Sequence, residues 1–354
     1  MIMKLVLASI AIALLSACQT TSSPTAPAQG TVTPRIQIEP TLHGRSAEEI
    51  VQSGEAVRLP ANYSKDNYRQ IRVAASFFPQ DPESPGQFAK EQTETVAAWL
   101  ESELVKLRRF DILARSQLGE LATAREISFQ DQGTVSGNDL LRLGRQQGAD
   151  YAFTAGMIIN REIFDRVREQ ELIFTTIITF QLIDLESGSI VEADSVEGRS
   201  RRTFFQMPSG MIVGGFNPNN QEMVDEALRE ASMNALKVIA NRLGYRLPVG
   251  GPVIGIRGEQ FQVGAGREQG LMGDQVVVLY TNDMGVDVAL ARGEITPSQQ
   301  QSPGRIFQWS DDPSVADLVE QLRTDPRGFL LDYELFAVSD GMPLPPEWEQ
   351  AYQD

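Results

Sequence analysis

Hydrolytic and group-transfer chemistry usually needs a nucleophile held beside a base, and these 354 residues contain a single histidine, His43, and a single cysteine, Cys18. His43 falls in a stretch without hydrophobic period, so an exposed loop position is expected rather than a general base or a metal ligand. Carboxylates are plentiful, as in Asp184 with Glu186, Glu192 with Asp194, and Asp311 with Asp312, but on a chain of formal net charge −16 such pairs read as solvated surface. The run Gly264-Ala-Gly-Arg-Glu-Gln-Gly270 brushes against a phosphate-loop pattern, yet no long helix and no Lys-Ser or Lys-Thr pair follows it, which predicts a tight turn. The expectation is a non-enzyme with no catalytic residues, no cofactor and no metal site. The acidic excess also repels phosphate backbones, which disfavours nucleic acid as a partner.

Covalent chemistry is expected at Cys18 instead. A start with Lys4, an apolar run from Leu5 to Leu15 and the exit Leu15-Ser16-Ala17-Cys18 make an export signal over residues 1–17, with Cys18 in the position that is acylated in lipoproteins. A single buried acyl chain binds a membrane only weakly, so a multiply acylated anchor is what gives stable attachment. Gln19 after Cys18, rather than an Asp, points to the outer membrane, with the protein facing the periplasm. With one cysteine no intrachain disulfide can form, and stability must come from burial.

Two groups of residues are candidates for contact with a partner. Arg199, Arg201 and Arg202 form a basic cluster, for which balancing of nearby Glu and Asp is favoured over an anionic partner. Met211, Ile212, Val213 and Phe216 sit among glycines in an apolar loop that needs either a partner or a fold-back onto the domain.

The elements that would position these residues divide the chain. Residues 18–65 are expected to be a lipidated, flexible tether, with a short helix within 46–59. Residues 66–247 read as an α/β domain, with a strand at Ile71–Phe78, a helix at Gln87–Leu107, and a strand–helix–helix–strand unit at Arg109–Ile159. A charged loop at Arg161–Glu171, a hairpin of Leu172–Leu185 with Ile190–Phe205, and a helix at Gln221–Leu243 over the sheet's other face complete it. Pro248–Pro252 reads as a boundary. Beyond it, short strands at 253–257, 260–263, 275–280 and 286–294, a helix at 314–322 and a strand at 329–338 suggest a small β-barrel over 248–345, before a tail at 346–354. The fold class is thus α/β, a mixed sheet with helices on its faces, plus a small C-terminal barrel-like domain. Ile190–Phe205 has Glu192, Asp194 and Arg202 on one face and Glu197, Arg199 and Arg201 on the other, which argues against a membrane-spanning strand.

The segment RFDILARSQLGELATAREISFQDQGTVSGNDLLRLGRQQGADYAFTAGMI resembles the CsgG and HfaB group of lipoproteins and related TolB N-terminal-like domains, also seen in LpoB and FlgT. Phe110, Arg115-Ser116, Gly148-Ala-Asp-Tyr151 and Gly156 carry the resemblance. VIGIRGEQFQVGAGREQGLMGDQVVVLY is similar to the C-terminal domain of FlgT-type proteins. These resemblances imply an outer-membrane lipoprotein that scaffolds a cell-envelope assembly of the curli, holdfast or flagellar-ring type, with envelope proteins as partners and a possible homo-oligomeric ring. The alternatives are a CsgG-like secretion channel and an LpoB-like activator of a peptidoglycan synthase.

Overall fold

A computed structural model describes residues 46–61, 63, 70–80, 86–114, 148–165, 170–206, 212–345 and 348. Six strands form one sheet in the order β2-β1-β3-β4-β5-β6. They are β1 (Arg72–Pro79), β2 (Asp111–Ala114), β3 (Tyr151–Asp165), β4 (Gln170–Asp184), β5 (Ile190–Gln206) and β6 (Ile212–Gly215). β1 lies parallel to both β2 and β3, and the rest of the sheet is antiparallel. β1 reads as a continuous apolar run because Val73, Ala74 and Ala75 are all buried, whereas β4 buries alternate residues from Leu172 to Leu182.

The described long helices lie over one face of this sheet. α2 (Lys90–Lys106) follows a short α1 (Ala47–Ser53) and buries Val96, Leu100 and Leu104, and its Glu101 Oε1 accepts the Phe77 N–H at 3.1 Å. α3 (Gln221–Arg246) starts at Asn220, whose side chain accepts the Glu222 and Met223 N–H groups, and Ser232 meets Thr176 of β4 at 2.9 Å. Phe153 joins the two regions, 5.4 Å from Phe77 and 5.6 Å from Phe180 between ring centroids. The expectation that Gln221–Leu243 closes the opposite face is therefore corrected. Strand period decides it: the residues facing α2 and those facing α3 share one side of the pleat.

The expected loop Arg161–Glu171 is also corrected. β3 and β4 stay paired out to Asp165 opposite Gln170, so residues 161–165 and 170–171 are strand, templated by the apolar start of β4. The helices expected between β2 and β3 fall outside the described residues.

β7 (Gly250–Arg257), β8 (Gln260–Val263), β9 (Gln275–Asp283), β10 (Val286–Ile295), β11 (Ser302–Trp309) and β12 (Leu335–Ser339) close into a small barrel in the order β10-β11-β8-β7-β12-β9. Leu247, Pro248 and Val249 are buried, and Gly250 is a strand residue whose added Cβ would stand 2.1 Å from the Ala337 carbonyl oxygen. The glycines at the expected boundary thus serve close strand packing. β11 was not expected, because Gly304, Arg305 and Gln308 break its alternation and only pairing with β8 and β10 makes it a strand. α4 (Ala316–Thr324) lies where a helix was expected, but of the strand expected over 329–338 only the part from Leu335 is strand, and 329–332 belongs to helix α5 (Pro326–Asp332). Pro326 at its start and Asp325, accepting the Gly328 N–H at 3.0 Å, set that helix.

Two devices hold the parts together. Arg109, fully buried, donates to the carbonyl oxygens of Gly270 (2.9 Å) and Leu247 (3.3 Å) and to Ser339 Oγ (2.8 Å), joining the α2–β2 turn to the end of α3 and to the barrel. The negative end of α3 beside it offsets part of the cost of burying a guanidinium that, among the described residues, meets no carboxylate. Second, residues 46–61 and Tyr63 are not part of a free tether. Ser46 and Glu49 form a reciprocal cap on α1, Val57 packs with Val278, Tyr280 and Val338, and the Tyr63 hydroxyl donates to Asp287 at 2.9 Å. Arg292, 2 % exposed, donates to the Glu55 carbonyl oxygen at 3.1 Å.

Candidate partner surface

β5 carries the sequence-derived basic cluster, and the register sends its side chains to two faces. Glu192, Asp194, Ser200 and Arg202 face α3, whereas Glu197, Arg199 and Arg201 face away from it. On the helix side, Gly198 lets α3 approach so closely that a Cβ there would stand 2.0 Å from the Ala231 carbonyl oxygen. Around that contact Arg202 pairs with Glu230 at 2.6 Å, Ser200 donates to the same carboxylate, Arg242 pairs with Asp194, and Arg246 pairs with Glu192. The Ser195 N–H, joined by Arg242, holds the Asp194 carboxyl below its ordinary range. On the open side Arg199 pairs with Glu197, and Arg201 lies 3.9 Å from Glu171 of β4. All three arginines therefore lie beside a carboxylate.

The apolar loop divides as well. Met211 lies outside the described residues, and Ile212, half-buried, and Val213 belong to β6. Phe216 is 7 % exposed, edge-on to Phe174 with ring centroids 5.9 Å apart, so it is a core residue and not a free contact.

The exposed apolar side chains at this end of the sheet are ones that sequence reading missed: Ile163 (53 %), Phe164 (41 %) and Phe205 (46 %). Phe164 lies opposite Glu171, itself opposite Thr203, so Phe164 and Phe205 share the open face with Arg201. Their signal in the sequence was the alternation of Ile163 and Phe164 among charges, hidden inside an assumed loop. A concavity of about 240 Å³ lies between α2 and α3, where the Arg229 guanidinium sits 5.9 Å from the Trp99 ring centroid.

The remaining chemical candidates have structural roles or lie elsewhere. Asp184 accepts the Glu186 and Ser187 N–H groups, both at 2.8 Å, in the β4–β5 turn, and Asp312 accepts the Ser314 N–H at 2.9 Å. In the 264–270 stretch the Arg267 and Glu268 N–H groups donate to the carbonyl oxygens of Ser298 and Gln299 at 2.9 and 3.0 Å, which leaves neither for a phosphate. Among the described residues no group of three or more His, Cys, Asp or Glu is placed to hold a metal ion, and no helix is long and apolar enough to cross a membrane. Cys18 and His43 lie outside the described residues.

Residues 90–197, from α2 into β5, match the family described as "Peptidoglycan-synthase activator LpoB". No curated protein matches the chain. Similar solved structures include the LpoB C-terminal domain from Salmonella enterica (18 % identity, 44 % of this chain and 96 % of that one, TM-score 0.24). The same domain from Escherichia coli (17 %, 44 % and 96 %, 0.24) and a PelC dodecamer from Paraburkholderia phytofirmans (15 %, 51 % and 97 %, 0.20) are others. The family match corrects the resemblance to CsgG, HfaB and FlgT, for which no match supports a likeness, and the ring and secretion channel that followed from it lose their ground. The part of this chain that runs from α2 through β3 and β4 into β5 is thus similar to the LpoB family, whose name is that of an activator and not of a synthase.

Proposed function

We propose that this protein is a non-enzymatic lipoprotein of the cell envelope, anchored through Cys18 to the periplasmic face of the outer membrane, that activates a peptidoglycan synthase. The observation that carries this reading is the match of residues 90–197 to the LpoB family. A protein without a catalytic set activates an enzyme by binding its active state more tightly than its resting state, and coupling of about 1–3 kcal/mol gives roughly 5- to 150-fold. The surface proposed for that contact is the open face at this end of the β3–β4–β5 ribbon, with Phe164 and Phe205 as apolar anchors and Arg199 and Arg201 on the same face. The barrel from Gly250 to Ser339 lies beyond the matched residues, an addition to the part that is similar to the family.

The test is a polymerisation assay with purified lipid II and the bifunctional synthases of the same organism, with and without the protein lacking its signal and lipid. A rise in glycan synthesis with one synthase, lost in Phe164→Ser with Phe205→Ser while the fold is kept, supports the reading. No change in rate and no binding to any of the synthases refutes it.

A further inference from the structure

Residues 46–61 and Tyr63 stand between Cys18 and the first strand of the sheet, yet they are held on the barrel. Glu55 meets Arg292 and Tyr63 meets Asp287, nearer the start of β10, so the segment runs along that strand against its direction. At its first hold the Glu55 carbonyl oxygen accepts Arg292 Nη1 at 3.1 Å and Gln308 Nε2 at 2.8 Å, while Asp340 lies 3.4 Å from Arg292 Nε. At its last hold the Tyr63 hydroxyl donates to Asp287, whose other oxygen accepts Asn282 Nδ2 at 2.7 Å, and the Tyr63 ring stands edge-on to Tyr280. Between them Val57 packs against Val278, Tyr280 and Val338.

These holds differ in kind from those inside the sheet and the barrel. Among the described residues no backbone–backbone hydrogen bond joins 46–61 or Tyr63 to a barrel strand, so side chains keep the segment in place. β1, by contrast, is paired with β2 on one side and β3 on the other, and the barrel is closed. A segment with few buried contacts and no ladder opens at a lower free energy than ladder-held strands. Lifting this one breaks no strand–strand hydrogen bond. Tension that enters at residue 18 reaches Glu55 before it reaches β1, because Glu55 comes first in the chain. The segment also stores length: the chain from residue 18 to 46 spans at most about 90–100 Å, and from 18 to 71 about 175–190 Å.

We propose that residues 46–61 with Tyr63 are a releasable strap: docked, they pass tension from the membrane anchor to the barrel, and undocked they lengthen the tether as far as β1 while sheet and barrel stay folded. The use of the strap rests on the lipid-anchored reading, its mechanics do not. Force spectroscopy tests it on the full chain lacking only the signal, with one handle on the Cys18 thiol and the other on Met284→Cys, a 97 % exposed position in the β9–β10 turn. Under rising force a first, reversible lengthening of at most about 90 Å, the contour of residues 46–70, comes before any larger step. Tyr63→Phe, which loses only the bond to Asp287, lowers the force of that step and leaves the later ones unchanged. Val57→Asp with Tyr63→Ser abolishes the step and keeps the later ones. A first step longer than about 90 Å means that sheet or barrel opens with the strap, and it overturns the proposal. Unfolding in one step, or a first step unchanged in the variants, also overturns it. The lipid plays no part in this measurement, so its outcome is separate from that of replacing Cys18, which tests the anchor.

Discussion

Replacing Arg109 tests the physical account of how barrel and sheet are joined. Arg109→Ala strips the Gly270 carbonyl of its buried donor, costing about 1–3 kcal/mol, and removes a cation from the C-terminal end of the 26-residue α3, about 0.3–2 kcal/mol. Ser339 Oγ keeps a partner in the Val249 N–H at 3.0 Å, so it adds little. The cavity left by a fully buried side chain adds to the loss, and release of a desolvated charge offsets part of it, giving a net destabilisation of about 2–4 kcal/mol. Arg109→Met keeps most of the volume and sheds the charge, so about 1–2 kcal/mol is expected. The pH dependence has a defined sign. Burial pushes the Arg109 guanidinium down to about 9, so above that pH the unfolded chain binds the proton that the folded one has lost. Wild-type stability therefore gains on that of Arg109→Met as pH rises from about 9 toward the ordinary arginine range above ~12. Urea unfolding gives the free energies, and amide exchange locates the loss at Leu247–Val249, Gly270 and Ser339. A loss below about 1 kcal/mol for Arg109→Ala, or exchange changes confined to β2, would refute the reasoning.

Gly198→Val drives a side chain into the backbone of α3 at Ala231 and lowers the thermal midpoint by the equivalent of about 3 kcal/mol, whereas Gly273→Ala, with nothing within 4 Å of the added carbon, leaves it nearly unchanged. Tyr63 is pushed up to about 12, first by burial and then by Asp287, so the folded state keeps its proton after the unfolded state has lost it. Part of the stability should therefore be lost as pH rises from about 10 to 12, and a Tyr63→Phe variant followed by denaturant titration should lack that part. Cys18→Ser should move the protein from washed membranes to the soluble periplasmic fraction with its unfolding curve intact, because the change lies ahead of every described element. Retention in the membranes would refute the lipid as the main anchor.

Much of the secondary structure was legible in local pattern because it depends on local pattern. β1 is an apolar run, α2 and α3 have helical spacing with buried faces, and the hairpin of β4 and β5 shows period-2 stretches broken at Glu186–Ser189. The division of charges on β5, with Glu192, Asp194 and Arg202 on one face and Glu197, Arg199 and Arg201 on the other, follows from strand period alone, and the structure keeps it. Which face each helix covers was not legible, since an amphipathic helix specifies that one side is buried but not against what. Residues 161–165 become strand only because β4 pairs with them, and that pairing is what brings Phe164 and Phe205 to one surface. Arg109 reads as an ordinary surface arginine until Leu247, Gly270 and Ser339, at least 138 residues away in sequence, enclose it. Composition and period thus determined many of the elements, while long-range pairing and burial decided which side chains meet, because those contacts join residues whose separation in sequence carries no periodic signal.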